Sequence, residues 1–473
     1  MSLLALDLGS SNLKGAIFSA NLTRLAQAVL PVPYATWQGV IVEMDPQAFW
    51  QLFIDLTQQL FQDSNLTPYD IDHIAISSQA QTFLLLDRHL QPLTPLISWI
   101  DRRGAELNPQ LSLAIGPDFH EHCSFPSSLP ELQLSKLYYL RLVQPHLLQQ
   151  TFLAASLPSW LSLRLGGPPI LDRNLAAMSG LYSLKTGSWF SQAIELCGVK
   201  PNQFPMLARC GCSLPTDTPP GFLSILSGSF DPLRDKNISF HFCGNDQTCG
   251  ALAAALQHGE VLLTLGTALV AYRLAGDALG PYSSSGCWGP YPGGGYYELA
   301  VSSQGTSALN WALREVFSGI TPGDLARLAR AHPGLVGANF PFFYPQAMGT
   351  PKAFSEQAEP EALALAVYEG LSFSLRCLLE IDLGATLDLL VASGGGSRSD
   401  FWLQFISDVT GKPVQRCTGS AGSGDADVLL GAALQVYSDH PPRSTRKDRF
   451  LPDSEKFGPY SERFRKWLQA IPG

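Results

Sequence analysis

The stretch Leu4–Phe18, LALDLGSSNLKGAIF, has the pattern of a β-hairpin. Two apolar runs flank the tip Gly9-Ser10-Ser11-Asn12, whose small and polar residues are typical of a tight turn. The stretch 261–272, VLLTLGTALVAY, repeats this order, with LGTA at 265–268 where the first stretch has LGSS at 8–11. Each tip offers backbone N–H groups and hydroxyls to an anion. Two halves that each open with such a hairpin predict related domains that hold phosphate groups between them.

The remaining segments mix helices and strands. Apolar residues recur at helical spacing over 46–63 after Asp45-Pro46, which supplies a cap and a first-turn proline. IDHIAISSQAQTFLLLD at 71–87 predicts strand, loop and strand, so the fold class is α/β. EALALAVYEGLSFSLRCLLE at 361–380 is apolar nearly all round, which predicts a buried helix. The stretch from about 201 to 239 is rich in Pro, Gly, Ser and Asp, so we expect domains at 1–239 and 240–473.

Composition excludes several classes of protein. The 473 residues carry 31 Lys and Arg against 40 Asp and Glu, a net charge of −9, and only 15% are charged. Without a basic run, neither nucleic acid nor an anionic membrane is expected as the main partner, and a small ligand is favoured. The nine scattered cysteines lack paired metal-ligand spacing and are expected to be reduced thiols.

The N-terminus predicts a cytoplasmic location. It has no basic region and places Asp7 inside its apolar run, unlike a signal peptide. We also expect no apolar stretch of the roughly 18–20 residues that a membrane span needs. A cytoplasmic enzyme or binding protein is the remaining class.

The first hairpin tip carries the parts of a phosphate and magnesium site. Asp7, Gly9, Ser10, Ser11 and Lys14 bring a carboxylate, close backbone approach, two hydroxyls and an ammonium into eight residues. Asp7 stands in an apolar strand, where an uncompensated charge is costly. The alternative is a plain turn with a solvated aspartate.

Two further segments could carry chemistry. GNDQTCGALAAAL at 244–256 places Asp246 just before an Ala-rich helix, where it is either a helix cap or an oriented general base. SGGGSRSDFWLQFISDVTG at 393–411 puts three glycines between a strand and an amphipathic helix, which lets a flat or phosphorylated ligand touch the backbone. It matches neither the Walker A nor the Rossmann glycine spacing, and a flexible loop is the alternative.

With these pieces in order, the chain resembles the FGGY family of carbohydrate kinases over nearly its whole length, with xylulokinase-, ribulokinase- and glycerol kinase-like features. The resemblance rests on the two hairpins and on four further motifs, the glycine segment being the most specific. These are VEMDPQAFW at 42–50, AISSQAQTFLLLD with SWIDRRG at 75–104, CGNDQTCGA at 243–251 and GGGSRSDFWLQFISDVTGKPV at 394–414. It implies two ribonuclease-H-like domains of the actin-like ATPase fold with a cleft between them.

The resemblance also implies ATP-dependent phosphorylation of a sugar hydroxyl and a role for each matching residue. Asp246 falls at the general base and Asp7 at the Mg²⁺-associated carboxylate. The positions implied for the nucleotide are Asp7, Gly9, Ser10, Ser11, Lys14, Gly266, Thr267, Asn310, Gly395, Gly396 and Ser399. Those implied for the sugar are Gln79, Gln81, Trp99, Asp246 and Gln247.

Departures from the family pattern concentrate on the sugar side. Gln79 is followed by Ala80-Gln81-Thr82, where glycerol kinases carry Arg-Glu and xylulokinases Met-His. A glycerol pocket is disfavoured because it lacks its acidic partner, and a ketopentose such as D-xylulose or D-ribulose is expected by elimination. Lys136 belongs to a family signature that is otherwise half present, since Tyr139 stands where tryptophan is common.

Other classes remain open at this point. A catalytically silent sugar- or nucleotide-binding protein would explain the eroded sugar motifs but has no need to keep Asp7, Lys14 and Asp246 together. A kinase for another polyol or ketose, or an actin- or Hsp70-like ATPase, shares the phosphate hairpins. Either a monomer or a homodimer is expected.

Overall fold

Two β-sheets share one strand order, and this repeat organises the chain. The computed structural model describes residues 1–215, 238–280, 283, 285–332, 341–384, 387–418, 426–437 and 446–471. In each of the two sheets, an antiparallel three-stranded meander is continued by two strands parallel to its first strand. The predicted repeat of the opening hairpin is therefore confirmed and extends to five strands.

The described residues form 22 strands. In chain order they are β1 (Ser2–Leu8), β2 (Asn12–Ser19), β3 (Arg24–Pro31), β4 (Tyr34–Gln38), β5 (Ile41–Met44), β6 (Ile71–Ser78), β7 (Phe83–Leu86), β8 (Leu96–Ile97), β9 (Leu153–Ser156), β10 (Ile170–Asp172), β11 (Tyr182–Ser183), β12 (Ser188–Trp189), β13 (Met206–Ala208), β14 (Ser213–Pro215), β15 (Ser239–Asn245), β16 (Glu260–Leu265), β17 (Leu269–Gly276), β18 (Cys287–Pro290), β19 (Tyr296–Ser302), β20 (Leu389–Ser393), β21 (Val414–Cys417) and β22 (Arg446–Phe450).

The same residues form 15 α-helices. They are α1 (Pro46–Ser64), α2 (Asn108–Ile115), α3 (Phe119–Cys123), α4 (Gln133–Val143), α5 (Pro145–Gln150), α6 (Leu157–Arg164), α7 (Arg173–Ala177), α8 (Ser191–Leu196), α9 (Asp246–Ala253), α10 (Thr306–Glu315), α11 (Pro322–Ala331), α12 (Pro360–Cys377), α13 (Asp400–Thr410), α14 (Val428–Val436) and α15 (Ser454–Gln469). A π-helical turn, Leu378–Asp382, continues α12.

The first sheet has the order β14-β15-β6-β1-β2-β3 and the second the order β18-β19-β17-β16-β20-β21-β22. A third, antiparallel sheet, β4-β5-β8-β7-β9, extends the first half of the chain. The predicted pair of strands at 71–87 therefore forms as β6 and β7, but in two different sheets. The loop between them connects the first sheet to the third.

Helices cover both faces of the first sheet. On one face α1 packs closely because Gly15 has no side chain: an added Cβ would lie 2.8 Å from Leu60 Cδ1 and 2.9 Å from Leu56 Cδ2. On the other face α9 and α14 cover Leu3 and Phe18, which are fully buried. The sequence of α1 explains its start, since the Asp45 side chain accepts a hydrogen bond from Gln47 N and Pro46 occupies the first turn.

Strand β15 opens the second predicted domain, yet it pairs in parallel with β6 in the first sheet. Helix α14, far along the chain, packs on the same sheet. Much of the predicted boundary segment, 216–237, lies outside the described residues. The division at 239/240 stays a prediction.

The predicted buried helix is confirmed as α12, but one expectation about it is wrong. Helix Pro360–Asp382 is long and apolar enough to cross a membrane by length and composition, although no such stretch was expected. The reason is that Glu369 and Arg376 are the only charged residues in 362–379. In the structure 89% of the apolar window is buried, as in the core helix of a globular domain.

Candidate functional site

The first hairpin places a buried carboxylate opposite an ammonium. Asp7 on β1 pairs in register with Lys14 on β2, and Lys14 Nζ lies 3.2 Å from Asp7 Oδ2. Asp7 is 2% exposed, and its Oδ1 atom has no hydrogen-bond partner among the described residues. Burial raises the pKa of Asp7, while the charge of Lys14 opposes that rise.

The tip of this hairpin leaves two hydroxyls available. Gly9 is required by the turn, because an added Cβ would lie 2.7 Å from the Asn12 carbonyl oxygen. The Ser10 carbonyl accepts a hydrogen bond from the Tyr34 hydroxyl at 2.9 Å, and the Ser11 carbonyl accepts one from Val32 N at 3.0 Å. These bonds hold the backbone through its carbonyl groups and do not involve the serine hydroxyls.

Asp246 is the first residue of α9. Asn245 caps this helix by accepting a hydrogen bond from Thr248 N at 2.8 Å, so the cap role belongs to Asn245 and the Asp246 carboxylate is not needed for it. Gln247 donates to both Asp246 oxygens, from its backbone N at 2.9 Å and its side-chain Nε2 at 3.3 Å.

The electrostatics tie Asp246 to the first hairpin. Burial, followed by the negative charge of Asp7, raises the pKa of Asp246 to about 6, while Lys14 lowers it. The structure therefore places Asp7, Lys14 and Asp246 within electrostatic reach of one another, from a hairpin and a helix more than 230 residues apart in sequence. A carboxyl with a pKa near neutrality is suited to accept a proton.

Gln247 links this helix to the second hairpin. Its Oε1 accepts a hydrogen bond at 2.7 Å from the hydroxyl of Thr264, on β16 just before the tip. At the tip, the Gly266 carbonyl accepts from Thr306 N at 2.8 Å and the Thr267 carbonyl from Gly305 N at 2.9 Å. The tip is thus fixed to the start of α10. Asn310, one turn further along α10, is exposed.

The glycine segment after β20 packs against the same hairpin. Gly394 has a positive φ of 88°, and an added Cβ would lie 2.8 Å from the Leu265 backbone. An added Cβ on Gly396 would lie 2.9 Å from Leu265 Cβ and would overlap the Trp402 ring, whereas one on Gly395 would meet no atom within 4 Å. The Ser399 hydroxyl accepts from Trp402 N at 3.2 Å and caps α13, a structural use that the resemblance did not imply.

Of the residues predicted for the sugar, Gln79 and Gln81 lie at the turn between β6 and β7, and Asp246 and Gln247 begin α9. Gln81 adopts a positive φ of 66°, which is strained for a residue with a side chain, and its Nε2 donates to the Met178 carbonyl at 2.8 Å. Trp99, 36% exposed, follows β8 in the third sheet. Gln79 differs from them: it is buried, and its amide bonds to Gly9 and Thr82.

Sequence reasoning missed a buried amide beneath the site. Asn174, on the short helix α7, accepts hydrogen bonds through Oδ1 from Asn245 N at 3.0 Å and Nδ2 at 2.8 Å. Its own Nδ2 donates to the Thr248 hydroxyl at 2.9 Å and the Pro290 carbonyl at 2.9 Å. Asn174 thereby fixes the start of α9 and joins the two halves, but a single Asn in a five-residue helix gives no sequence signal of this.

Lys136 was recognised in the sequence without its structural role. It is fully buried on α4, and its Nζ donates to the Ser98 carbonyl at 2.7 Å and the Trp99 carbonyl at 3.1 Å. Burial lowers the pKa of Lys136 to about 7. The ammonium therefore holds the loop that presents Trp99.

The donor set fits a magnesium ion. Asp7 Oδ1 is a buried carboxylate oxygen without a partner among the described residues, and Asp7 lies close enough to Asp246 for its charge to raise the pKa of Asp246. Those residues contain no cluster of three or more His, Cys, Asp or Glu that could hold a metal. A site with one or two carboxylates, completed by water and phosphate oxygens, is how Mg²⁺ is usually bound.

Comparison with known proteins matches both halves of the chain to one family. The model for the FGGY family of carbohydrate kinases, N-terminal domain, matches residues 2–216, and that for the C-terminal domain matches residues 261–437. The chain is 23% identical to the xylulose kinase of Escherichia coli (strain K12), with 99% of each chain covered. It is 22% identical to the gluconokinase of Bacillus subtilis (strain 168), over 86% of this chain and 82% of that protein.

Solved structures show the fold. The ligand-bound xylulose kinase from Lactobacillus acidophilus superposes with a TM-score of 0.86 at 19% identity, covering 99% of this chain and 97% of that one. Glycerol kinase from Plasmodium falciparum with ADP gives a TM-score of 0.81 at 18% identity, with the same coverage. The predicted fold is therefore confirmed: α/β, two ribonuclease-H-like domains of the actin-like ATPase type.

Proposed function

Since the chain belongs to the FGGY family of carbohydrate kinases and is therefore a phosphotransferase with an alcohol acceptor, we propose that it transfers the γ-phosphate of ATP to a ketopentose, D-xylulose or D-ribulose being the first choice. One observation carries the proposal. The carboxyl of Asp246, with a pKa of about 6, stands beside Asp7 and Lys14 at the first phosphate hairpin.

The chemistry assigned to these residues needs one base and charge compensation. Asp246 takes the proton of the acceptor hydroxyl as its oxygen bonds to the γ-phosphorus and the bond from that phosphorus to the leaving β-phosphate oxygen breaks. Lys14 and the hairpin N–H groups offset the negative charge of the phosphates. Mg²⁺ held by Asp7 would supply further charge neutralisation when bound.

The nucleotide is assigned to the second half of the site. Gly266, Thr267 and Asn310 lie on one side of it, and the exposed Gly395 lies beside them on the glycine segment. Gly394 and Gly396 pack this segment directly on Leu265, which puts the two loops side by side. The ADP in the Plasmodium falciparum glycerol kinase supports an adenine nucleotide as donor.

The acceptor side favours an uncharged sugar. The side chains around the turn after β6 are amides and hydroxyls, and the cavity of about 10 Å³ there has room for one water molecule and no charged residue in its lining: Gln79, Gln81, Thr82, Gln133, Ser156 and Ser179, with Ala80 and three apolar residues. An aldonate such as gluconate would need a cation to pair with its carboxylate. Gln81, in place of an acidic residue, also argues against glycerol. A kinase for another ketose or neutral polyol is the remaining alternative.

The setting of the reaction is part of the same proposal. We place the enzyme in the cytoplasm, as a monomer or homodimer that works on small molecules. The nine free cysteines support that location.

The test is a coupled assay of ADP release with Mg-ATP against ketopentoses, a ketoheptose, tetruloses, gluconate, glycerol and other polyols. We expect one ketopentose to give the strongest release of ADP. We expect Asp246→Asn to abolish this release while ATP binding, measured by calorimetry, is kept.

Asp55→Asn, which removes an exposed carboxylate on α1, is the matched control and should keep full activity. An active Asp246→Asn enzyme would overturn the assignment of the base, and a response confined to gluconate or glycerol would overturn the acceptor. ATP binding without any response would indicate a silent binding protein.

A further inference from the structure

Three hydrogen bonds, the middle one buried and the outer two partly buried, connect the first phosphate hairpin to the loop that carries Trp99. Gln79 Nε2 donates to the Gly9 carbonyl at 3.2 Å, the Thr82 hydroxyl donates to Gln79 Oε1 at 3.1 Å, and Trp99 N donates to the Thr82 hydroxyl at 3.0 Å. Gln79 is 8% exposed and Thr82 1% exposed. The central bond between Thr82 and Gln79 is therefore shielded from competition with water.

The direction of these bonds is fixed from both ends. The Trp99 backbone N–H can only donate and the Gly9 carbonyl can only accept. The Thr82 hydroxyl therefore donates its hydrogen bond to Gln79 Oε1, and the Gln79 amide must turn its NH₂ group toward the Gly9 carbonyl. Loss of the Thr82 hydroxyl would leave a buried N–H and a buried amide oxygen without partners, which is costly.

Each end of the connection belongs to a different half of the proposed reaction. Gly9 lies in the turn between Asp7 and the Ser10 and Ser11 hydroxyls, whereas Trp99 follows β8 of the third sheet and is one of the residues predicted for the acceptor. The Trp99 loop is held from the other side by Lys136, which donates to the Trp99 carbonyl. Thr82 and Gln79 thus join the hairpin to this loop by hydrogen bonds.

We infer that Thr82, acting through Gln79, is a positioning residue that sets the acceptor loop in register with the phosphate hairpin. The inference rests on the proposed function. Thr82 is 1% exposed, and its assigned role is to fix the separation of the two loops that hold nucleotide and sugar. Phosphoryl transfer depends on such alignment because little covalent help is available from the protein.

The test compares Thr82→Val, Thr82→Ser and Thr57→Val. Valine keeps the shape of threonine but removes the hydroxyl, and serine keeps the hydroxyl. Thr57 is the matched control, because it is equally buried and its hydroxyl bonds to backbone carbonyls on α1, away from the cleft. Its variant reports the cost of losing a buried threonine hydroxyl as such.

In Thr82→Val we expect the rate of sugar phosphate formation to fall at least about tenfold. The ratio of ADP released to sugar phosphate formed should rise, because water competes better with a misaligned sugar hydroxyl for the γ-phosphate. Thr82→Ser should recover most of the wild-type rate and ratio, and Thr57→Val should change neither. The inference is overturned if Thr82→Val keeps the wild-type ratio, if Thr82→Ser is as impaired as Thr82→Val, or if Thr57→Val behaves like Thr82→Val.

Hydrogen exchange separates this inference from the proposed function. In Thr82→Val, faster amide exchange in both 7–13 and 97–103 would support the coupling, and faster exchange in 97–103 alone would overturn it. This readout needs no substrate. If the wild-type enzyme phosphorylates no acceptor, the proposed function fails, and exchange alone then decides whether the two loops are coupled.

Discussion

At the scale of single residues, Asp246 should set the acid limb of the pH profile. Its pKa is raised to about 6 by burial and by Asp7, and only the deprotonated carboxylate can accept the hydroxyl proton. We therefore expect kcat/KM for the acceptor to fall about tenfold per pH unit below about 6. Lys14→Met should move this limb to higher pH, because Lys14 lowers the pKa of Asp246.

Protein stability at the same pH values provides the control. A carboxyl whose pKa is higher in the folded than in the unfolded state binds its proton more tightly when folded, so protonation of Asp246 stabilises the fold as pH falls from about 6 toward the usual value of 3.8. Protonation of Asp246 should therefore lower kcat/KM without lowering the fraction of folded protein. A limb near pH 4, or one that coincides with unfolding measured by circular dichroism, would contradict the assignment.

At the scale of elements, the three glycines after β20 should respond differently to alanine. Gly394→Ala meets a positive φ and the Leu265 backbone, and Gly396→Ala meets Leu265 and Trp402, so each should lower the free energy of unfolding by about 1–3 kcal/mol. Gly395→Ala meets no atom within 4 Å and should leave the melting temperature of the nucleotide-free protein unchanged.

Thermal unfolding and ATP affinity, measured together, distinguish packing from ligand contact. Gly394→Ala and Gly396→Ala should have lower melting temperatures than the wild-type protein. Gly395→Ala should weaken ATP binding alone if its backbone contacts the nucleotide as proposed. Equal melting temperatures for all three variants would show that the segment does not pack on the second hairpin as the structure has it.

Local elements were predictable from the sequence where one segment carries the whole signal. The hairpin at 4–18 has its own turn residues, and α1 has its own cap at Asp45 and proline at 46, so both formed as predicted. Contacts that join distant segments left no such signal. The hydrogen bonds from Gly9 through Gln79 and Thr82 to Trp99 join three separate loops. Nothing in the sequence of residues 79–82 shows that Gln79 turns inward while Gln81 adopts a positive φ.

At the scale of the whole molecule, the first sheet depends on residues from the second half of the chain. Its central strand β6 pairs with β15, and the face that contains Leu3 and Phe18 is covered by α9 and α14. Helix α14 approaches closely at Gly431, where an added Cβ would overlap the Cys249 carbonyl on α9. The segments 239–245 and 428–436 thus complete a structure that begins at residue 2.

A fragment of residues 1–239 should therefore not fold to a stable unit. It lacks nearly all of β15 and both covering helices, and exposure of large side chains such as Leu3 and Phe18 costs roughly 1.5–3 kcal/mol each, comparable with a substantial part of the stability of a domain. We expect no cooperative thermal transition for 1–239 alone, and recovery of one when 240–473 is co-expressed. Cooperative melting of the isolated fragment would contradict this. It would show that the first sheet is stable without β15 and would support a separable domain that ends at 239.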